Sequence, residues 1–114
     1  MSVTIFDKIL AGDIQCQKIY EDEFVLAFRD VNPQAPTHAL VIPKKKVARF
    51  EEYKGSDPNE VGQFFTRVAK VASELGLEKR GYRIVINNGA DGQQSVEYLH
   101  AHILGGRQLA WPPG

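Results

Sequence analysis

Ser95-Val96-Glu97-Tyr98-Leu99-His100-Ala101-His102-Ile103-Leu104 alternates in character and carries two of the chain's three histidines. Tyr98, His100, His102 and Leu104 fall on one parity, and Leu99, Ala101 and Ile103 on the other. Successive side chains of a β-strand point to opposite faces, with a rise of about 3.3 Å per residue. The pattern therefore predicts a strand over 95–104 with both imidazoles on one face, their Cα atoms roughly 6–7 Å apart. That placement suits two histidines satisfied in a polar cleft, two ligands of one metal, or a nucleophile with its acid. The strand alone leaves all three readings open.

Directly upstream, Asn87-Asn88-Gly89-Ala90-Asp91-Gly92-Gln93-Gln94 feeds into Ser95. This is either a bare turn or a phosphate cradle made of freed backbone N–H groups with the Asn87 and Ser95 side chains. Before it, Tyr82–Asn88 reads as a central strand; after the histidines, Gly105-Gly106 stops the strand and Trp111–Gly114 forms a stiff tail. The clearest helix opens at Asp57, with Pro58 at its first position and Glu60 at its third. Val61, Phe64, Phe65, Val68, Ala72 and Leu75 make its apolar stripe, and Gly76 closes it. A short helix over 4–10 has Thr4 and Asp7 as a capping pair and Gly12 as its stop.

Between the helices, Lys18–Tyr20 and Phe24–Phe28 read as a strand pair joined by the turn Glu21-Asp22-Glu23. A proline-stiffened loop over 30–37 leads to a strand over 38–43, in which His38, Leu40 and Ile42 share a face. Lys44-Lys45-Lys46 is a solvated strand exit, and residues 47–57 read as weakly structured connection. Five strands, mostly joined by hairpins, with one long and one short helix predict an α+β domain with an antiparallel sheet over 1–114.

Lys plus Arg equals Asp plus Glu at 14 each, so no net field recruits nucleic acid or an anionic membrane surface. No apolar run reaches the ~20 residues of a membrane-spanning helix, and 1–13 lacks the apolar core of a signal peptide. Cys16 is the one cysteine, which favours a reducing compartment; the expectation is cytoplasmic, with the nucleus open if the source is eukaryotic. A zinc centre needs three or four ligands. His38 is a third candidate, but Cys16 has no cysteine or histidine beside it, so a closed structural site is not expected. Asp30, between apolar neighbours, suits a sugar-hydroxyl acceptor or a loop cap.

In combination these blocks resemble the histidine triad (HIT) family, in its nucleotide-binding, nucleoside phosphoramidase branch. The blocks are Thr-Ile-Phe-x-Lys-Ile at 4–9, Ala-Phe-x-Asp-x-x-Pro-Gln-Ala-Pro-Thr-His at 27–38 and Leu-Val-Ile-Pro-Lys-Lys at 40–45. Gly-Tyr-Arg at 81–83, Asp-Gly-x-Gln-Ser-Val at 91–96, Leu-Gly-Gly-Arg-Gln at 104–108 and Trp-Pro-Pro-Gly at 111–114 complete them. The resemblance implies a purine nucleotide ligand, no cofactor, and a homodimer whose two five-stranded sheets join into one. It implies that Phe6, Ile9, Phe28 and Val31 line a base pocket, that Asp30 binds the ribose, and that Asn87, Gln93, Gln94 and Ser95 hold the α-phosphate. His100 is then the nucleophile, His102 contacts the phosphate and the bridging atom, His38 stands behind them, and Trp111 approaches the leaving group in the partner's site.

The family motif is His-φ-His-φ-His, and here its first histidine is Tyr98. Relatives that bind zinc use two cysteines, a histidine and that first triad histidine, at places held here by Thr4, Asp7, Lys46 and Tyr98. The resemblance with all four ligands replaced implies no metal. It leaves two functional expectations: hydrolysis of a nucleoside 5′-phosphoramidate through a nucleotidyl-His100, or nucleotide binding and scaffolding without turnover.

Overall fold

The computed structural model describes residues 2–114. Helix α1 (Ile5–Ala11) is followed by strands β1 (Lys18–Glu21), β2 (Val25–Arg29) and β3 (Thr37–Pro43). A 3₁₀ helix (Phe50–Gly55), helix α2 (Pro58–Glu74) and strands β4 (Arg83–Val85) and β5 (Ala101–Gly105) complete the chain. The five strands form one sheet in the order β1-β2-β3-β5-β4, antiparallel at every pairing, as expected.

The alternation read in 95–104 sorts the two faces. Leu99, Ala101 and Ile103 join Val25, Ala27, Ala39 and Val41 in a core closed by Phe64, Val68, Val71 and Ala72 of α2. Tyr98 joins Leu26, Phe28, Leu40 and Ile42 on the opposite face, where Phe6 of α1 covers only part of the sheet. The rest of that face is left for the histidines.

Both helix starts follow local chemistry. Thr4 accepts from the Asp7 amide while the Asp7 carboxylate takes the Thr4 amide, so the capping box is complete. Asp57 accepts from the Asn59 amide at 2.9 Å. Glu60, however, reaches outward to Lys45 at 2.7 Å rather than back to the cap. The α2 stripe is shifted: Val71 is fully buried, whereas Val61, Phe65 and Leu75 are only half-buried.

Three expectations need correction. The regular strand in 95–104 begins only at Ala101, because its neighbour β3 ends at Pro43, which has no N–H to extend the ladder. The Leu99 amide goes instead to the Val47 carbonyl at 2.7 Å. The strand over 82–88 is cut to Arg83–Val85 and lies at the sheet edge, since β5 inserts between it and β3. Finally, 47–57 is not loose: it holds the 3₁₀ helix, with Phe50 and Tyr53 ring to ring at the i,i+3 spacing that such a helix eclipses.

At the far end of β5 two glycines allow close approach. A Cβ on Gly105 would stand 2.9 Å from Leu77, and one on Gly106, whose φ is +91°, would stand 2.9 Å from Pro36.

Candidate functional site

The uncovered part of the sheet is a cleft of about 240 Å³ between α1, the end of β2 and the histidine strand. Phe6, Ile9, Phe28, Asp30, Val31, Ser95, His100 and His102 all line it, as do Ile5, Ile14, Leu40 and Val96. One end is apolar; the other gathers Asp30, Ser95 and the two imidazoles.

Hydrogen bonds set the state of each imidazole. His100 Nδ1 lies 2.7 Å from the Tyr98 carbonyl, which can only accept, so Nδ1 carries the proton and Nε2 the lone pair. The Gln34 amide donates to His38 Nδ1 at 3.0 Å, which puts the His38 proton on Nε2. That N–H is 2.9 Å from His102 Nδ1 and 3.3 Å from Asp30 Oδ2. His102 therefore accepts at Nδ1 and bears its proton on Nε2. Among the described residues no buried side-chain polar atom lacks a partner, so the unpaired Nε2 atoms of His100 and His102 open to the cleft. One presents a lone pair and the other an N–H, with the ring centroids 5.0 Å apart.

Burial keeps this set neutral. It pushes the His38 and His100 pKa values below the ordinary imidazole value, against the pull of Asp30. It pushes His102 furthest, to about 4, helped by the neighbouring His100 and His38.

Tyr98 is fully buried beneath this arrangement. Its hydroxyl donates to the Pro43 carbonyl, and burial pushes its pKa far up, so it stays a phenol. The contact that orients His100 comes from its backbone and owes nothing to the side chain. Its ring supports Phe6 at 6.1 Å, and Phe6 in turn stands edge-on to His100 at 5.0 Å.

Other expected residues lie outside the cleft lining. The Asn87 amide donates to the Gly92 carbonyl at 2.7 Å and closes the loop on itself. Gln94 accepts from the Gly89 amide and donates to the Ala48 and Val96 carbonyls, so it shapes the loop with no group to spare. Gln93 sits exposed at φ +63°. Trp111 is 79% exposed, with the Arg83 guanidinium over its ring. The 3₁₀ segment bolts the loop from outside: Asn88 bonds the Glu51 amide and carboxylate, and Arg49 pairs with Glu97 through two nitrogens. Gln15 and Arg29 also line the cleft without having been singled out, as does Cys16, which the sequence had marked only as a lone thiol. Leu40 was signalled by its parity with His38, whereas Ile14–Cys16 lie in a turn with no periodicity to mark them.

A HIT domain family model matches residues 11–109. The chain belongs to the HIT family. A maize protein named 14 kDa zinc-binding protein is 54% identical over 99% of this chain and 89% of its own length. The crystal structure of a HIT family hydrolase from Legionella pneumophila superposes with a TM-score of 0.91 at 44% identity, covering 96% of this chain and 98% of that one. A histidine triad nucleotide-binding protein from Candida albicans superposes at 0.80 with 27% identity, over 98% and 85% of the two chains. This HIT domain thus shares its fold with a hydrolase and with a nucleotide-binding protein. No helix among the described residues is long and apolar enough to cross a membrane.

Two places bear on a metal in this HIT domain. Ligand atoms of Asp30, His38 and His102 lie within 4.8 Å of one another. A metal on His38 Nε2 would need that nitrogen's lone pair and would move the ring proton to Nδ1, against the Gln34 N–H. The cluster is spoken for by its own hydrogen bonds. The second place is the one to which the resemblance assigns zinc ligands. Thr4, Asp7, Lys46 and Tyr98 do come together here, but around the Lys46 ammonium, a cation with no lone pair to offer. This donor set does not fit zinc.

Proposed function

We propose that this HIT domain belongs to the nucleoside phosphoramidase branch and hydrolyses the P–N bond of purine nucleoside 5′-phosphoramidates. One observation carries the reading: the hydrogen bonds give two adjacent imidazoles opposite states, a bare Nε2 on His100 and an Nε2–H on His102. In this reading His100 Nε2 attacks the α-phosphorus in line. An N–P bond forms, the P–N bond to the amine breaks, and its electron pair stays on the departing nitrogen. The His102 Nε2–H orients a water that gives that nitrogen its proton, and the N–H that His38 donates to His102 Nδ1 fixes the tautomer. The hydroxide left behind attacks the phosphorus of the nucleotidyl-His100, breaking the His100–P bond and returning the lone pair to Nε2. Ser95 and the amides of the loop before it meet the phosphate charge, with Asn87, Gln93 and Gln94 keeping the loop in shape. Phe6, Ile9, Phe28 and Val31 hold the base and Asp30 the ribose.

The working unit is a homodimer in this reading, with Trp111 reaching the partner's leaving-group side. Support comes from the short β4 edge with Ile84 exposed, and from a tail that stands off its own cleft.

One feature favours binding without turnover instead: His100 is only 4% exposed, a narrow approach for in-line attack. Incubation with an adenosine 5′-phosphoramidate separates the two. The hydrolase reading expects AMP release and an acid-labile adenylyl adduct, both lost in His100→Ala. AMP binding without either product overturns it.

A further inference from the structure

Helix α1 is seven residues long, too short to stand alone in water, yet Ile5, Phe6 and Ile9 make one wall of the cleft. Something outside the helix must hold it. Lys46, just beyond β3, extends its ammonium across the gap to Asp7 Oδ2 at 2.8 Å and the Ser2 carbonyl at 3.0 Å. The same nitrogen lies 5.6 Å from the centroid of the Tyr98 ring. Asp7 Oδ2 is also taken by the Thr4 amide and hydroxyl, so one carboxylate oxygen joins the helix cap to the lysine. Lys46 and Asp7 keep only 24% and 26% of their side-chain exposure, so the pair is partly shielded from the solvent screening that weakens surface pairs. Phe6, one residue before Asp7, touches Tyr98, Phe28 and His100.

We propose that the Lys46 ammonium is an internal cation that pins α1 to the sheet, and that Lys46 and Asp7 position Phe6 against His100 and the ligand. The ammonium's reach ends at the cleft wall, so it governs fit rather than chemistry. The ligand part rests on the nucleotide reading above; the contact with His100 does not.

Lys46→Met and Asp7→Asn test it, with Lys46→Arg as the conservative rescue. Three readouts are needed: AMP affinity by calorimetry, KM and kcat on an adenosine phosphoramidate, and the His100 ring resonances by NMR without ligand. The expected result is AMP binding weaker by roughly fivefold to tenfold, a matching rise in KM and a nearly unchanged kcat in both charge-removing variants. The His100 ring resonances shift in both, and Lys46→Arg restores wild-type behaviour. Unmoved resonances, or equal affinity in wild type and Lys46→Met, overturn the proposal while leaving the nucleotide reading intact. Wild type that binds no AMP overturns that reading, and the resonances then decide the pin alone.

Discussion

At His102 an imidazole is kept neutral by its surroundings, and this fixes how the fold responds to acid. The pKa falls from 6.5 free to about 4 folded, so the unfolded chain binds the proton more tightly. The stabilisation is therefore complete above pH 6.5 and is lost as pH falls through the folded value. His38 and His100, both shifted the same way, add to it. Urea melts at pH 7 and pH 4.5 should show wild type losing on the order of 2 kcal/mol more than His102→Asn over that interval. Tyr98→Phe makes a different prediction. The Pro43 carbonyl loses its donor, costing about 1–2 kcal/mol in a denaturant titration. Turnover should hold, because the Tyr98 carbonyl still orients His100. Parity in the sequence placed Tyr98 on the histidine face. The job of its hydroxyl was not legible, since Pro43 lies 55 residues away and meets it only through tertiary packing.

Elements were readable where their signals were local. Capping pairs at Thr4 and Asp57 and the apolar stripe of α2 marked both helices. The segment 47–57 was missed because what orders it is distant: Asn88, Gln94 and Glu97 bond to it across the fold. Those contacts rank unequally. Gln94 is half-buried and spends its whole amide on three backbone groups, so Gln94→Ala should release 87–96 and cost roughly 1–3 kcal/mol. Hydrogen exchange should show faster exchange at Gly89, with little change in β3. Arg49→Ala removes a pair whose members both sit in solvent and should leave those rates alone. Similarly, Val85 and its neighbours looked central from their apolar run. That β5 would slip between them and β3 is a matter of chain crossing, which no run of residues records.

For the molecule as a whole, the sheet has an open edge at β4, three residues long, with Ile84 36% exposed. The proposed homodimer predicts a light-scattering mass of twice the 12.7 kDa chain. Ile84→Lys should reduce it towards one chain if the β4 edge carries the contact. A single-chain mass for wild type would remove the dimer, and with it the role given to Trp111.

The cleft's two walls are held by different means. Asp30 directly follows β2 and its amide donates to the His38 carbonyl at 3.0 Å, so the Asp30 side of the cleft is continuous with the sheet. The α1 side is held by the buried Phe6 ring, a cap and one ion pair. A container with a fixed wall and a tethered one exchanges its contents past the tether. Added salt weakens a half-shielded ion pair modestly, so the dwell time of a bound nucleotide should shorten as ionic strength rises, while bond cleavage keeps its pace. Stopped-flow release of a fluorescent nucleotide, against single-turnover cleavage in the same buffers, would read the two clocks separately.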